Sequence, residues 1–119
     1  MFADDEVLIY HNPRCSKSRA TLQLLRDRGI DPRIIEYLKE PPSPGELDEI
    51  LSRLGAEPGD IMRKKETEYR AAGADDPELD RDQLLQLLHE HPKLIERPIV
   101  VAGGKAALGR PPENVLDIL

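Results

Sequence analysis

The stretch Val7-Leu8-Ile9-Tyr10-His11-Asn12-Pro13-Arg14-Cys15-Ser16-Lys17-Ser18-Arg19 decides how the rest of the chain is read. Val7 to Tyr10 is a short apolar run of the kind that makes a buried strand. After a polar turn, Ala20 to Arg28 reads as a helix carrying Leu22, Leu24 and Leu25, with Gly29 placed to end it in the left-handed conformation. Arg33-Ile34-Ile35-Glu36-Tyr37, β-branched at its centre, is a second strand. Strand, helix, strand in so short a span predicts a parallel pair joined by a right-handed crossover. Cys15, the only cysteine, therefore falls at a strand-to-helix turn.

The middle of the chain is helical and more polar. Ser43-Pro44-Gly45-Glu46 holds a cap residue, a proline for the first helical position and a glutamate three after the cap. Leu47, Ile50, Leu51 and Leu54 mark one face of that helix, and Gly55 stops it. Asp80-Arg81-Asp82-Gln83 repeats the capping pattern before Leu84, Leu85, Leu87 and Leu88, with Pro92 beyond. Asp60 to Glu68 is expected as a short helix and Ala71 to Pro77 as a loop. Ile99-Val100-Val101-Ala102, Gly103-Gly104 and Lys105 to Leu108 form a hairpin signal, and Glu113 to Leu119 a last amphipathic helix. The expected architecture is α/β: a thioredoxin-like (glutaredoxin-like) three-layer fold with a mixed four-stranded sheet and a helical insertion, in one domain over residues 1–119.

Composition excludes several roles. Hydrophobic residues make up 39% and aromatics 3%, so the core must be built from Leu, Ile, Val and Ala. Lys and Arg number 17 against 23 Asp and Glu, a net charge of −6. That balance argues against nucleic acid as a partner, because phosphate binding needs clustered cations. No apolar run is long enough to span a bilayer, and Met1-Phe2-Ala3-Asp4-Asp5-Glu6 lacks the basic and apolar parts of a signal peptide. A cytoplasmic location is expected, with Cys15 reduced. A single cysteine forbids an intrachain disulfide, so redox chemistry at Cys15 must be completed by another molecule's thiol.

The plain alternative for a lone cysteine is a small buried apolar residue. Its polar neighbours Asn12, Pro13, Arg14, Ser16, Lys17 and Ser18 speak against that. Open backbone N–H groups and the dipole at a helix N-terminus favour a thiolate, as do Arg14, Lys17 and Arg19. The same features make a nest for an oxyanion. Spacing narrows the chemistry. A tyrosine-phosphatase loop needs Arg at the sixth position after Cys, where Thr21 stands. A dithiol motif needs a second cysteine where Ser18 stands, which leaves monothiol chemistry. Cys15 with His11 falls short of a metal site, and His89 and His91 read as a solvated helix end. Arg63, Arg97 and Arg110 each adjoin structural punctuation and are the candidate anion ligands. Pro98, opening a buried strand, suggests a cis peptide.

The run from Ile9 to Arg19, with Arg63, Leu94-Ile95-Glu96-Arg97-Pro98 and Gly109-Arg110-Pro111-Pro112-Glu113, resembles the glutaredoxin-coupled arsenate reductase family over nearly the whole chain. The resemblance implies that Cys15 is the nucleophile and that Arg63, Arg97 and Arg110 hold the arsenate oxyanion. His11, Asn12 and Ser18 would support the thiolate, and Pro98 would be the structural cis-proline. It further implies no bound cofactor or metal, glutathione as co-substrate, glutaredoxin as partner, and a monomer. In the implied reaction Cys15 displaces water from arsenate, glutathione reduces the adduct, arsenite leaves, and glutaredoxin resolves the mixed disulfide. Ser16-Lys17 departs from the Gly-Thr of the better-studied branch, inside the anion loop itself. Two alternatives remain: a glutathione-linked thiol reductase with another substrate, and an Spx-like regulator that binds RNA polymerase. The second ordinarily carries the Cys-x-x-Cys switch that Ser18 removes here.

Overall fold

The structure, a computed structural model, describes residues 6–119; Met1–Asp5, which carry most of the leader reading, lie outside the described residues. Backbone contacts divide the chain into two compact units, one of the residues up to Glu40 together with Arg97–Leu119 and one of Pro41–Glu96.

The first unit holds the sheet. Strands β1 (Val7–His11), β2 (Arg33–Glu36), β3 (Ile99–Ala102) and β4 (Lys105–Leu108) lie in the order β2-β1-β3-β4. β1 runs parallel to β2, with Ile9 opposite Ile34, and antiparallel to β3, with Ile9 opposite Val100. The sheet is therefore mixed and four-stranded, as the sequence predicts. β3 and β4 turn at Gly103 and Gly104, with φ of 53° and 80°, the left-handed values a tight two-residue hairpin requires. The crossover helix α1 (Ser16–Asp27) ends in a paired C-cap. The N–H of Gly29 bonds the Arg26 carbonyl at 2.9 Å and that of Ile30 the Leu25 carbonyl at 3.0 Å.

The pleat of β1 sets the core. Ile9 packs with Leu22 and Leu25 of α1, with Val100, and with Val115 of the 3₁₀ helix Pro112–Ile118. Leu8 and Tyr10, pointing to the opposite face, are buried as well. Burial on both faces is why the strand reads as a continuous apolar run rather than an alternating one. His11 follows Ile9 on the α1 side, and it is one of few buried polar residues there.

The second unit is helical: α2 (Pro44–Leu54), α3 (Thr67–Ala71) and α4 (Arg81–Glu90), with 3₁₀ turns at Pro58–Ile61 and Pro92–Leu94. The predicted caps are present. Ser43 Oγ accepts the Glu46 N–H at 3.1 Å, Gly55 is left-handed at φ 66°, and Asp80 and Gln83 close a reciprocal capping box. Arg81 bridges Asp48 at 2.7 Å and Glu57 at 3.1 Å, tying the start of α4 to α2 and the first 3₁₀ turn. Among the described residues no helix is long and apolar enough to cross a membrane.

β1 runs one residue further than expected, to His11, and β2 ends one residue earlier, at Glu36; the helical readings differ more. Helix α1 begins at Ser16 rather than Ala20, because its first turn is polar and carries no apolar periodicity to reveal it. Asp60–Glu68 is not one helix: it lies across the Pro58–Ile61 turn, a bridge at Met62 and the start of α3. The final helix, expected over Glu113–Leu119, is a 3₁₀ helix that starts at Pro112 and runs to Ile118. Leu25 is fully buried at the centre of the first unit's core. Leu25→Ala is expected to lower unfolding stability by about 2–5 kcal/mol, read from the shift of a urea transition.

Candidate active site

Starting α1 at Ser16 makes Cys15 its N-cap residue, with extended backbone at φ −95° and ψ 124°. The Cys15 carbonyl accepts the first helical bond, from Arg19 N–H at 3.0 Å, and the Cys15 N–H bonds the Asn12 carbonyl at 3.0 Å. The thiol does not close a side-chain cap. The N–H groups of the first turn consequently have no helical partner and face the sulfur with the positive end of the helix dipole. No acidic residue lies in that turn to cancel the field.

Ser18 holds this turn in place. It is fully buried, and its hydroxyl bonds His11 Nδ1 at 2.6 Å and accepts the Asn12 N–H at 3.0 Å. One side chain thus joins the end of β1, the loop and the first turn of the helix. Asn12 Oδ1 accepts the Arg14 N–H at 3.0 Å, and the Arg19 guanidinium donates to the Pro13 carbonyl at 2.9 Å, which closes the loop from the other side.

The thiol's acidity is a contest. Partial burial pushes the Cys15 thiol up, but the N–H of Ser18, the charge of Arg97, the N–H of Lys17 and a hydrogen bond from Arg97 outweigh it. The net shift is downward, toward the thiolate. His11 behaves oppositely to a thiolate's cationic neighbour. Burial lowers its pKa, Glu36 raises it, and Arg26 and Arg19 lower it further, for a net downward shift. His11 is therefore a neutral ring near pH 7, and its bond goes to Ser18.

Arg97 comes from the end of the chain's long excursion through the second unit. Its Nε is buried with no hydrogen-bond partner among the described residues. The Arg97–Pro98 peptide is cis, and so is Arg110–Pro111, which the sequence reading did not anticipate. Arg110 Nη1 reaches the Arg97 carbonyl at 3.5 Å. The structure therefore groups Cys15, Ser18, His11, Asn12 and Arg97 about the head of α1, with Arg110 beside Arg97. Arg63 belongs to the second unit, where its guanidinium pairs with Glu66 at 2.6 Å and donates to the Lys93 carbonyl at 3.4 Å.

Sequence reasoning missed Thr21 and Gly109. Thr21 is fully buried and its Oγ1 donates to the Lys17 carbonyl at 2.8 Å. A Cβ on Gly109 would stand 2.6 Å from Thr21 Oγ1 and 2.7 Å from Pro98 Cγ. Gly109 is thus the point where the head of α1, Pro98 and the approach to Arg110 touch. A glycine directly before Arg110-Pro111 was the available signal. Among the described residues no cluster of His, Cys, Asp and Glu could hold a metal ion.

The ArsC family model matches residues 10–118. The chain is 51% identical to the arsenate reductase of Neisseria meningitidis, over 96% of this chain and 98% of that one. It is 48% identical to the uncharacterized protein YfgD of Escherichia coli, over 96% of this chain and 97% of that one. The solved arsenate reductase of Vibrio cholerae superposes with a TM-score of 0.93 at 52% identity, covering 97% of this chain and 98% of that one.

Arg97→Ala is expected to raise the Cys15 thiol pKa, moving the midpoint of iodoacetamide alkylation against pH upward. The lowered pKa of His11 carries a stability consequence as well. A base whose folded pKa lies below its unfolded value adds stability that is complete above the unfolded pKa, about 6.5, and is lost as pH falls through the folded pKa. Wild type should therefore lose more stability to urea between pH 7.5 and pH 5 than His11→Asn does.

Proposed function

The chain belongs to the ArsC family, and from that premise we propose that it reduces arsenate to arsenite with Cys15 as nucleophile and glutathione and glutaredoxin as reductants. The observation that carries the reading is a thiol of lowered pKa at an open helix N-terminus, beside an arginine whose Nε is buried without a partner. A tetrahedral oxyanion offers acceptors to both groups. The proposal takes residues 1–119 as one reductase domain, acting as a monomer in the cytoplasm with no bound cofactor.

The reaction balances with thiols alone. Thiolate Cys15 attacks arsenic, a sulfur–arsenic bond forms, and an arsenate oxygen leaves as water. Arg97, with Arg110 and Arg63, would neutralise the charge on the remaining oxygens. A glutathione thiol then replaces a second oxygen on arsenic, again releasing water. A glutaredoxin thiol attacks the glutathione sulfur: a disulfide forms, and the electron pair of the broken sulfur–arsenic bond stays on arsenic, taking it from the pentavalent to the trivalent state. Water releases arsenite and returns Cys15. The glutathione–glutaredoxin disulfide is reduced by a further glutathione.

Arg63 must exchange its Glu66 partner for substrate if it is to act as an anion ligand. Arg97 faces no such competition at Nε, so it is the stronger ligand in this reading. His11 serves through Ser18, holding the hydroxyl that fixes the loop. Pro98 would brace the segment that delivers Arg97.

The test is NADPH consumption on adding arsenate, with glutathione, glutathione reductase and glutaredoxin present. Arsenate-dependent consumption is expected in the wild type and none in Cys15→Ser, because a hydroxyl stays protonated near neutral pH. Arg97→Ala should lower kcat/KM for arsenate by about tenfold to a hundredfold, the scale of losing a charge-assisted hydrogen bond. Omitting glutaredoxin should stop steady turnover. Full turnover by Cys15→Ser would sink the mechanism, and no wild-type consumption with Cys15 still acidic would pass the site to another substrate of a glutathione-linked thiol reductase.

A further inference from the structure

A cavity of about 330 Å³ opens beside the loop, at the carboxyl ends of β1 and β2. Its walls are His11, Asn12, Pro13 and Arg14 on one side and Glu36, Leu38 and Lys39 on the other. Nothing in the reaction described above uses Glu36, Leu38 or Lys39. The volume is at the lower end of the range for small-molecule sites, and strand carboxyl ends are where open α/β sheets bind ligands. Cys15 follows Arg14 directly, so the residue next to the nucleophile in the chain lines this cavity.

The charges on the walls are mixed. Arg14 has no hydrogen bond or ion pair from its guanidinium among the described residues. Lys39 Nζ stands 3.8 Å from Glu36 Oε1, a loose and exposed pair. Leu38 is a large apolar side chain left 42% exposed on this rim. The wall thus presents more positive than negative charge, an apolar contact, and one carboxylate able to receive an ammonium group. A small apolar or purely anionic ligand would leave half of these groups unused.

We propose that this cavity seats the second thiol of the reaction, a peptide-sized thiol bearing carboxylates and an ammonium group. Arg14 and Lys39 receive the carboxylates, Glu36 receives the ammonium, and Leu38 and Pro13 pack the stem that carries sulfur toward Cys15. The site deepens the reduction reading and rests on it: it locates the thiol whose sulfur must reach arsenic on Cys15. A neutral thiol of similar reactivity lacks the charged ends and gains nothing from the cavity.

The experiment titrates S-methylglutathione, which cannot react with Cys15, into the ¹⁵N-labelled full chain. Saturable amide shifts are expected at Asn12, Arg14 and Glu36 to Lys39. Lys39→Glu should weaken binding about tenfold or more, the scale of one lost charged contact reversed in sign, and Lys105→Glu on the β3–β4 hairpin should not. A second measurement compares glutathione with 2-mercaptoethanol as reductant of arsenate. The ratio of their kcat/KM values should fall by a similar factor in Lys39→Glu. Shifts absent from the cavity, shifts centred on Arg97 and Arg110, or equal binding by Lys39→Glu would overturn the site. Shifts at these residues that require glutaredoxin would give the cavity to the protein partner and overturn it too. Turnover with glutathione but no cavity shifts overturns this site and leaves arsenate reduction standing. Cavity shifts without arsenate turnover keep the thiol site and overturn the arsenate reading.

Discussion

The hydroxyl of Ser18 is the contact on which the rest of the site depends. It lies in the first turn of α1, yet it bonds His11 at the end of β1 and the N–H of Asn12 in the loop. Strand, loop and helix are thereby locked to one another through a single buried group. Without that lock the first turn of α1, and Cys15 with it, would have no fixed relation to the end of β1 and the loop. A buried hydroxyl left unpaired costs about 1–3 kcal/mol, so His11 and Ser18 constrain each other. The neutral state of His11 follows from the same burial. Its role is geometric, since an uncharged ring supplies no positive field to a thiolate.

The electrostatics of Cys15 combine local and distant parts. The first-turn N–H groups belong to the helix that the cysteine caps, so they come with the strand–loop–helix unit itself. Arg97 does not. It returns to the first unit only after the whole of Pro41–Glu96 has been threaded, and it contributes both charge and a hydrogen bond to the sulfur. Pro98 and Gly109 govern that return. The Gly109 N–H bonds the Pro98 carbonyl at 2.9 Å, while Thr21 and Pro98 leave no room for a side chain on Gly109. Head of helix, proline and glycine are packed as one joint, and Arg97 and Arg110 are the residues on either side of it.

In the proposed reaction two demands meet at one sulfur, and the cavity beside the loop would keep them apart. The oxyanion needs hydrogen-bond donors and positive charge at the head of α1. A reducing thiol needs recognition of its own ends and an approach that does not displace the anion. The proposed thiol site uses Glu36 at the end of β2, where it stands opposite His11, together with Arg14, Leu38 and Lys39, which lie just past the ends of the parallel strands β1 and β2.

Much of this was legible in the residues alone, and the reason is range. Ser43, Asp80, Gly55 and the Gly103-Gly104 pair act on backbone groups within a few positions, so their effects are written locally. The apolar run Val7–Tyr10, the crossover to Arg33–Glu36 and the hairpin give the parallel pair and the antiparallel pair, while the docking of β3 against β1 that joins them is a tertiary contact. Cys15 stood out because a lone thiol in a polar turn has no packing purpose. The start of α1 was not legible, since Ser16–Arg19 carry no apolar stripe; nor was the broken segment Asp60–Glu68, where tertiary bonds such as Glu96 N–H to the Ile61 carbonyl outweigh helical propensity. Which arginine meets the sulfur, that Arg63 is engaged by Glu66, that Ser18 answers His11, and that Gly109 must stay bare against Thr21 and Pro98 are contacts between residues far apart in the chain. Local propensity is silent on such pairs. They exist only once the sheet has closed and burial has forced each polar group to find its partner.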